Sequence, residues 1–152
     1  MTDALSIRPA QEPDLPSLVE LLRQLFALEP DFKADPERQR RGLGLLLAAP
    51  ERAIVLVAER AGKAIGMVTG QLVISTAEGA PSAWLEDMVV DAAERGRGTG
   101  PLLLDALQAW AIRRGATRLQ LLADRENAPA LRFYEKARWQ PTRMICLRKA
   151  RL

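Results

Sequence analysis

The chain has 152 residues, a formal net charge of +3, 48% apolar side chains, one cysteine and no histidine. That length suits one ordinary domain with a real core, and no apolar run approaches the ~20 residues of a membrane-spanning helix. The missing histidine excludes Ser-His and Cys-His triads and the common zinc sites, so no metal is expected and acid–base chemistry falls to carboxylates, tyrosine, lysine, cysteine or water.

Met1-Thr2-Asp3-Ala4-Leu5-Ser6 has neither the basic segment nor the apolar core of a secretory signal. From Ala4 to Pro9 apolar and polar residues alternate, which reads as a first strand. Asp14 is placed to cap a helix whose Leu15, Leu18, Val19, Leu22, Leu25 and Phe26 recur at helical spacing. Glu29-Pro30-Asp31-Phe32 breaks that pattern. Asp35-Pro36 then marks the cap and first position of a second helix through Leu47. Its basic run, Arg38-Gln39-Arg40-Arg41, reads as a solvated face, and the mild net charge gives no reason to expect nucleic acid.

Ala53–Arg60, Ala64–Ser75 and Ala83–Val90 read as three strands joined by connections too short for crossovers, hence an antiparallel meander. Arg95-Gly96-Arg97-Gly98-Thr99-Gly100 follows, then a helix from about Pro101 to Arg114 closed by Gly115. Thr117–Ala123 reads as a strand parallel to Ala83–Val90, which makes one right-handed βαβ unit. Asn127 caps a last helix, Ala128–Ala137, and Met144-Ile145-Cys146-Leu147 reads as a final strand. The lone Cys146 has no internal disulfide partner, which fits a reducing compartment, and a cytoplasmic location is expected.

Strand, glycine turn, helix start and two arginines describe a site for a phosphorylated ligand. A ligand-free connection explains three glycines about as well. A nucleotide-cofactor reading finds Gly96-x-Gly98-x-Gly100 similar to the first motif of adenosylmethionine-dependent methyltransferases, with Asp124 placed to hold a ribose. Only 52 residues follow Gly100 in the 152-residue chain, and a meander precedes it, which argues against a doubly wound sheet.

A third reading uses more of the chain. Arg95-x-x-Gly98-x-Gly100 resembles the Q/R-x-x-G-x-G/A pattern of the GCN5-related N-acetyltransferase (GNAT) superfamily. Leu85-Glu86-Asp87-Met88-Val89-Val90 resembles its fourth strand, and Asn127-Ala128-x-Ala130-Leu131-x-Phe133-Tyr134-Glu135-Lys136 its N-x-x-A-x-x-F-Y-x-K segment. The resemblance covers essentially all of residues 1–152 as a single domain. It implies an α/β (α+β) fold with a mostly antiparallel mixed sheet, about four flanking helices, and one central parallel strand pair splayed to hold acetyl-CoA.

By the same resemblance, Met88, Val89 and Val90 pair with the pantetheine arm. Arg95, Gly96, Arg97, Gly98, Thr99 and Gly100 hold the pyrophosphate, and Asn127 adds a coenzyme-side contact. Tyr134 is the general acid for the leaving thiolate, and Glu86 is the general-base candidate with Asp87 as its competitor on the opposite strand face. Phe26, Glu29, Asp31, Phe32 and Trp84 lie where the acceptor, a small-molecule or peptide amine, is expected. The implied activity is acetyl transfer from acetyl-CoA to a primary amine by direct attack in a ternary complex. A non-catalytic acyl-CoA-binding or sensing domain and the methyltransferase-like reading are the alternatives.

Two departures from the family pattern stand out. Arg138-Trp139 occupies the place where Gly-Phe is common, so either a non-glycine residue takes a left-handed cap at a cost of ~1 kcal/mol or the helix ends differently. Trp139 to Leu152 also has room for one strand where relatives often have two. The sheet edge left uncovered suggests a homodimer.

Overall fold

The computed structural model describes residues 4–152, and Met1, Thr2 and Asp3, part of the stretch read for a secretory signal, lie outside the described residues. The chain, read above as one domain, groups into two compact units, Met1–Leu121 and Leu122–Leu152. Among the described residues no helix is long and apolar enough to cross a membrane.

The first unit is a sheet of five strands in chain order: β1 (Ser6–Pro9), β2 (Ala53–Arg60), β3 (Lys63–Ser75), β4 (Ala80–Val90) and β5 (Arg118–Leu121). Neighbours from β1 to β4 pair antiparallel, and β4 pairs parallel with β5. Two helices, α1 (Leu15–Ala27) and α2 (Pro36–Leu47), connect β1 to β2, and α3 (Thr99–Arg113) makes the crossover from β4 to β5. The expected mixed sheet is present, but its parallel pair, expected at the centre, lies at one end because β5 is the terminal strand of the described sheet.

Local sequence explains most boundaries. Asp35 accepts a hydrogen bond from Arg38 N–H and Pro36 follows at the first helical position of α2. Ala61 and Gly62, with φ of 50° and 74°, form the two-residue turn between β2 and β3. Asp14 is a correction. Its own backbone is already helical, so its carboxylate does not cap α1; it takes the Gln11 N–H at 2.7 Å and the Arg8 guanidinium at 2.8 Å. Arg8 also reaches Glu59 at 2.6 Å and so ties β1, the turn before α1, and β2 together.

Each sheet face has its cover. Leu18, Leu21 and Leu22 of α1 and Leu43 of α2 pack with Val55, Val57, Met67 and Val89, each such side chain contributing about 1.5–3 kcal/mol on full burial. On the other face α3 lies so close to β3 that a Cβ on Gly70 would stand 2.5 Å from Leu107 Cδ1. Gly66 and Gly70 therefore admit the helix.

The second unit holds one helix, α4 (Ala128–Lys136), capped by the Asn127 side chain at Ala130 N–H. The expected strand at Met144–Leu147 is absent: residues 144–152 have no regular structure, and Met144, Ile145 and Leu147 are exposed. A strand needs a ladder partner, and this four-residue apolar run, with one β-branched member between Arg143 and Arg148, does not acquire one.

Candidate active site

Strand β4 is regular up to Leu85, which stands opposite Gly70 of β3, and resumes at Met88, opposite Val68. One β3 residue, Thr69, lies between those partners, against two on β4, Glu86 and Asp87. This is a β-bulge, which bends the strand and leaves one amide out of the ladder. The simple alternation that put Glu86 and Asp87 on opposite faces is therefore a reading the structure corrects. Both acids stand opposite Thr69, and Leu85 and Met88 share a face.

The two carboxylates differ in surroundings. Glu86 is exposed, whereas Asp87 is half-buried. Burial first, then the neighbouring Glu86 charge and that of Glu29, push the Asp87 carboxyl up to about 6, against a hydrogen bond from Thr69 that lowers it. Thr69 itself is fully buried. Its hydroxyl accepts the Asp87 N–H at 3.0 Å and donates to Asp87 Oδ2 at 3.4 Å. Sequence reading did not single out Thr69, although it is the one polar side chain in Gly66-Met67-Val68-Thr69-Gly70.

The loop after α1 contributes to the same region through the charge of Glu29. Phe26, half-buried on the last turn of α1, meets Phe32 with ring centroids 5.6 Å apart. Asp31 is exposed. Trp84 is half-buried in register with Gln71 on β3 and Gln120 on β5, ahead of the bulge.

Strand β4 outlasts its parallel neighbour. The β4–β5 ladder ends at Leu85–Leu121, while β4 runs on through Met88 and Val89 to Val90. The chain then turns through Ala92–Glu94 into Arg95–Gly100 and starts α3 at Thr99. Gly96 and Gly98 have φ of 74° and 84°, and nothing lies within 4 Å of where their Cβ atoms would be. Gly98 stands at the N-cap of α3, and among the described residues no side-chain cap bond is made there. Pro101, which lacks an N–H, occupies a first-turn position whose amide would have no partner within the helix. Open amides at the positive end of a helix dipole suit an anion, and bare glycines let it approach the backbone, so this turn fits a pyrophosphate.

The arginines of the turn have local partners. Arg95 Nε donates to the Val90 carbonyl at 3.1 Å, and Arg97 pairs with Glu94 at 3.0 Å. Glu94 lies 3.8 Å from Arg60 as well. Neither Glu94 nor Arg60 was singled out from sequence, where an acid before a glycine turn carries no distinguishing signal. Thr99 is buried, and its hydroxyl has no hydrogen-bond partner among the described residues.

In the second unit, Tyr134 lies on α4, half-buried and edge-on to Phe133 at 5.2 Å and tilted against Trp139 at 5.7 Å. Phe133 and Tyr134 thus share an aromatic cluster although they are one helical step apart. Asn127 has the capping role described above. Arg138 adopts a left-handed φ of 67°, so the first alternative for the Arg138-Trp139 departure holds.

A model of the Acetyltransferase (GNAT) family matches residues 15–138. No curated protein matches the sequence. Among solved structures, a transcriptional regulator from Bacillus halodurans C-125 shares 24% identity with a TM-score of 0.84, covering 96% of this chain and 99% of that one. An aminoglycoside acetyltransferase from an uncultured soil metagenomic sample, solved with sisomicin, shares 23% identity with a TM-score of 0.76, covering 97% and 96%. Glucosamine-6-phosphate N-acetyltransferase from Arabidopsis thaliana shares 20% identity with a TM-score of 0.77, covering 97% and 99%. At these identities the likeness is one of fold.

Proposed function

Because this chain belongs to the GNAT acetyltransferase family, we propose that it transfers an acetyl group from acetyl-CoA to a primary amine by direct attack in a ternary complex. The observation that carries this is the run from bulge to helix start. A strand that outlasts its parallel ladder leads straight into an uncapped helix preceded by bare glycines. Met88, Val89 and Val90 would pair with the pantetheine arm, and Arg95, Gly96, Arg97, Gly98, Thr99 and Gly100 would hold the pyrophosphate. Asn127 would add a polar contact. Arg95 and Arg97 shape the turn through Val90 and Glu94 as well as supplying charge.

In the proposed reaction the amine nitrogen attacks the thioester carbon, the C–S bond breaks, and the tyrosine hydroxyl of Tyr134 protonates the departing thiolate. Ordinary values of ~10 for a phenol and ~8.5 for a thiol allow that exchange. For proton removal the surroundings favour Asp87 over the sequence candidate Glu86. A carboxyl pushed up to about 6 is a better base for an ammonium than an ordinary one, and Glu86 supplies part of that push. The acceptor is proposed to enter past Phe26, Glu29, Asp31, Phe32 and Trp84. The charges of Glu86 and Glu29 act on Asp87 together, a setting that favours a cation, and the two acetyltransferases of like fold are named for aminoglycoside and glucosamine-6-phosphate, both small amines.

The test is CoA release from acetyl-CoA across a panel of primary amines, with Tyr134→Phe and Asp87→Asn beside the native chain. Tyr134→Phe is expected to lower kcat about 10²-fold or more with coenzyme affinity kept. Asp87→Asn is expected to abolish the rise in kcat/KM as pH passes 6, since the base works only when deprotonated. Unchanged turnover in Tyr134→Phe would remove it from the mechanism. A second reading, acyl-CoA binding without turnover, draws on the transcriptional regulator of like fold. Coenzyme binding with no release for any amine would favour it.

A further inference from the structure

A bulge sets β4 a bookkeeping problem that its backbone does not solve: two residues, Glu86 and Asp87, share one partner residue on β3. The amide left over needs an acceptor, because a polar group in a half-buried strand is costly when unpaired. The acceptor is a side chain, the Thr69 hydroxyl at 3.0 Å from Asp87 N. A hydroxyl has one proton of its own to give, and here it goes to Oδ2 of the same aspartate at 3.4 Å. One fully buried β-branched residue thus grips both ends of Asp87.

We propose that Thr69 is a positioning residue for acid–base chemistry at β4, holding the bulge in register and orienting the Asp87 carboxylate. The proposal rests on the acetyltransferase reading for its catalytic meaning, and on the two hydrogen bonds and the bulge for its structural content. Both bonds need only a short side chain that carries a hydroxyl. Valine keeps the shape and loses both bonds; serine keeps both bonds and loses a methyl. The charged groups acting on Asp87 are Glu86 from β4 itself and Glu29 from the loop after α1. Both are retained in such variants, so a change in Asp87 titration reports the hydroxyl.

The experiment is carbon-13 NMR titration of the Asp87 carboxyl in the native chain, Thr69→Val and Thr69→Ser, with CoA release from acetyl-CoA and an amine panel measured alongside. A hydrogen bond to the ionised form favours it, so its loss should raise the Asp87 midpoint by roughly half a pH unit or more in Thr69→Val. Thr69→Ser should return it to the native value. The acid limb of kcat/KM should move with it. An Asp87 midpoint that stays put in Thr69→Val, with only thermal stability lowered, would overturn the proposal. A midpoint that Thr69→Ser fails to restore would do the same. The titration reads the grip of Thr69 whether or not acetyl transfer occurs. Failure of the native chain to release CoA counts against the acetyltransferase reading, separately from Thr69.

Discussion

At the scale of single residues, Asp87 trades stability for chemistry. Its carboxyl ionises near 6 in the folded chain, above its ordinary 3.8, because burial and the Glu86 and Glu29 charges disfavour the anion. Above pH 6 both folded and unfolded chains carry the charge, and the folded chain bears the whole penalty. As pH falls from 6 toward 4 the folded state takes up the proton first, and the penalty disappears. Asp87→Asn should therefore stabilise the protein at pH 7.5 by about 1–2 kcal/mol, a figure reduced for the partial exposure of the group, and lose that gain near pH 4. Urea denaturation at the two pH values measures it. A variant no more stable than the native chain at pH 7.5 would mean the carboxylate is better solvated than its surroundings suggest. None of this was legible in Leu85–Val90. Those residues read as plain strand, and the extra residue exists only by reference to Thr69, 18 positions away.

At the scale of elements, two helices end in the same way with different residues. In α3 the Gly115 N–H bonds the Ile112 carbonyl and the Ala116 N–H the Ala111 carbonyl, both at 3.0 Å. In α4 the Arg138 N–H bonds the Glu135 carbonyl and the Trp139 N–H the Tyr134 carbonyl, both at 2.9 Å. Each is a Schellman motif, which needs a left-handed residue, and φ is 81° at Gly115 and 67° at Arg138. Trp139 against Tyr134 is the apolar contact that accompanies such an ending. Arg138→Gly should relieve the strain and stabilise the end of α4 by about 0.5–1 kcal/mol, net of the greater freedom it gives the unfolded chain. Slower hydrogen exchange at the Trp139 amide would show it. Gly115 could be read as a cap because glycine announces itself. Arg138 could be read only as a departure from a pattern, since a left-handed arginine has no sequence signature.

At the scale of the whole molecule, what the chain displays in sequence is what depends on neighbours along it. The Asp35-Pro36 helix start, strand β2, the glycine turn and the Gly115 cap all carry their own local signals. The missing strand at Met144–Leu147 and the bulge depend on distant partners, and both escaped. The sheet's order shows the same division in another form. Strands β2, β3 and β4 follow one another directly, the first pair through a two-residue turn. The two outer strands must be fetched from afar: Arg8 and Glu59 meet across 51 positions, and Ser82 and Arg118 across 36. Closing a longer loop costs more entropy before any contact rewards it, so the inner hairpins should form first and the flanks last. Pulse-labelling during refolding should then protect amides of β2 and β3 before those of β1 and β5, and simultaneous protection would refute that order. The parallel pairing beside which a coenzyme is proposed to lie would on this account be a late acquisition in folding, added to a meander already able to hold itself together.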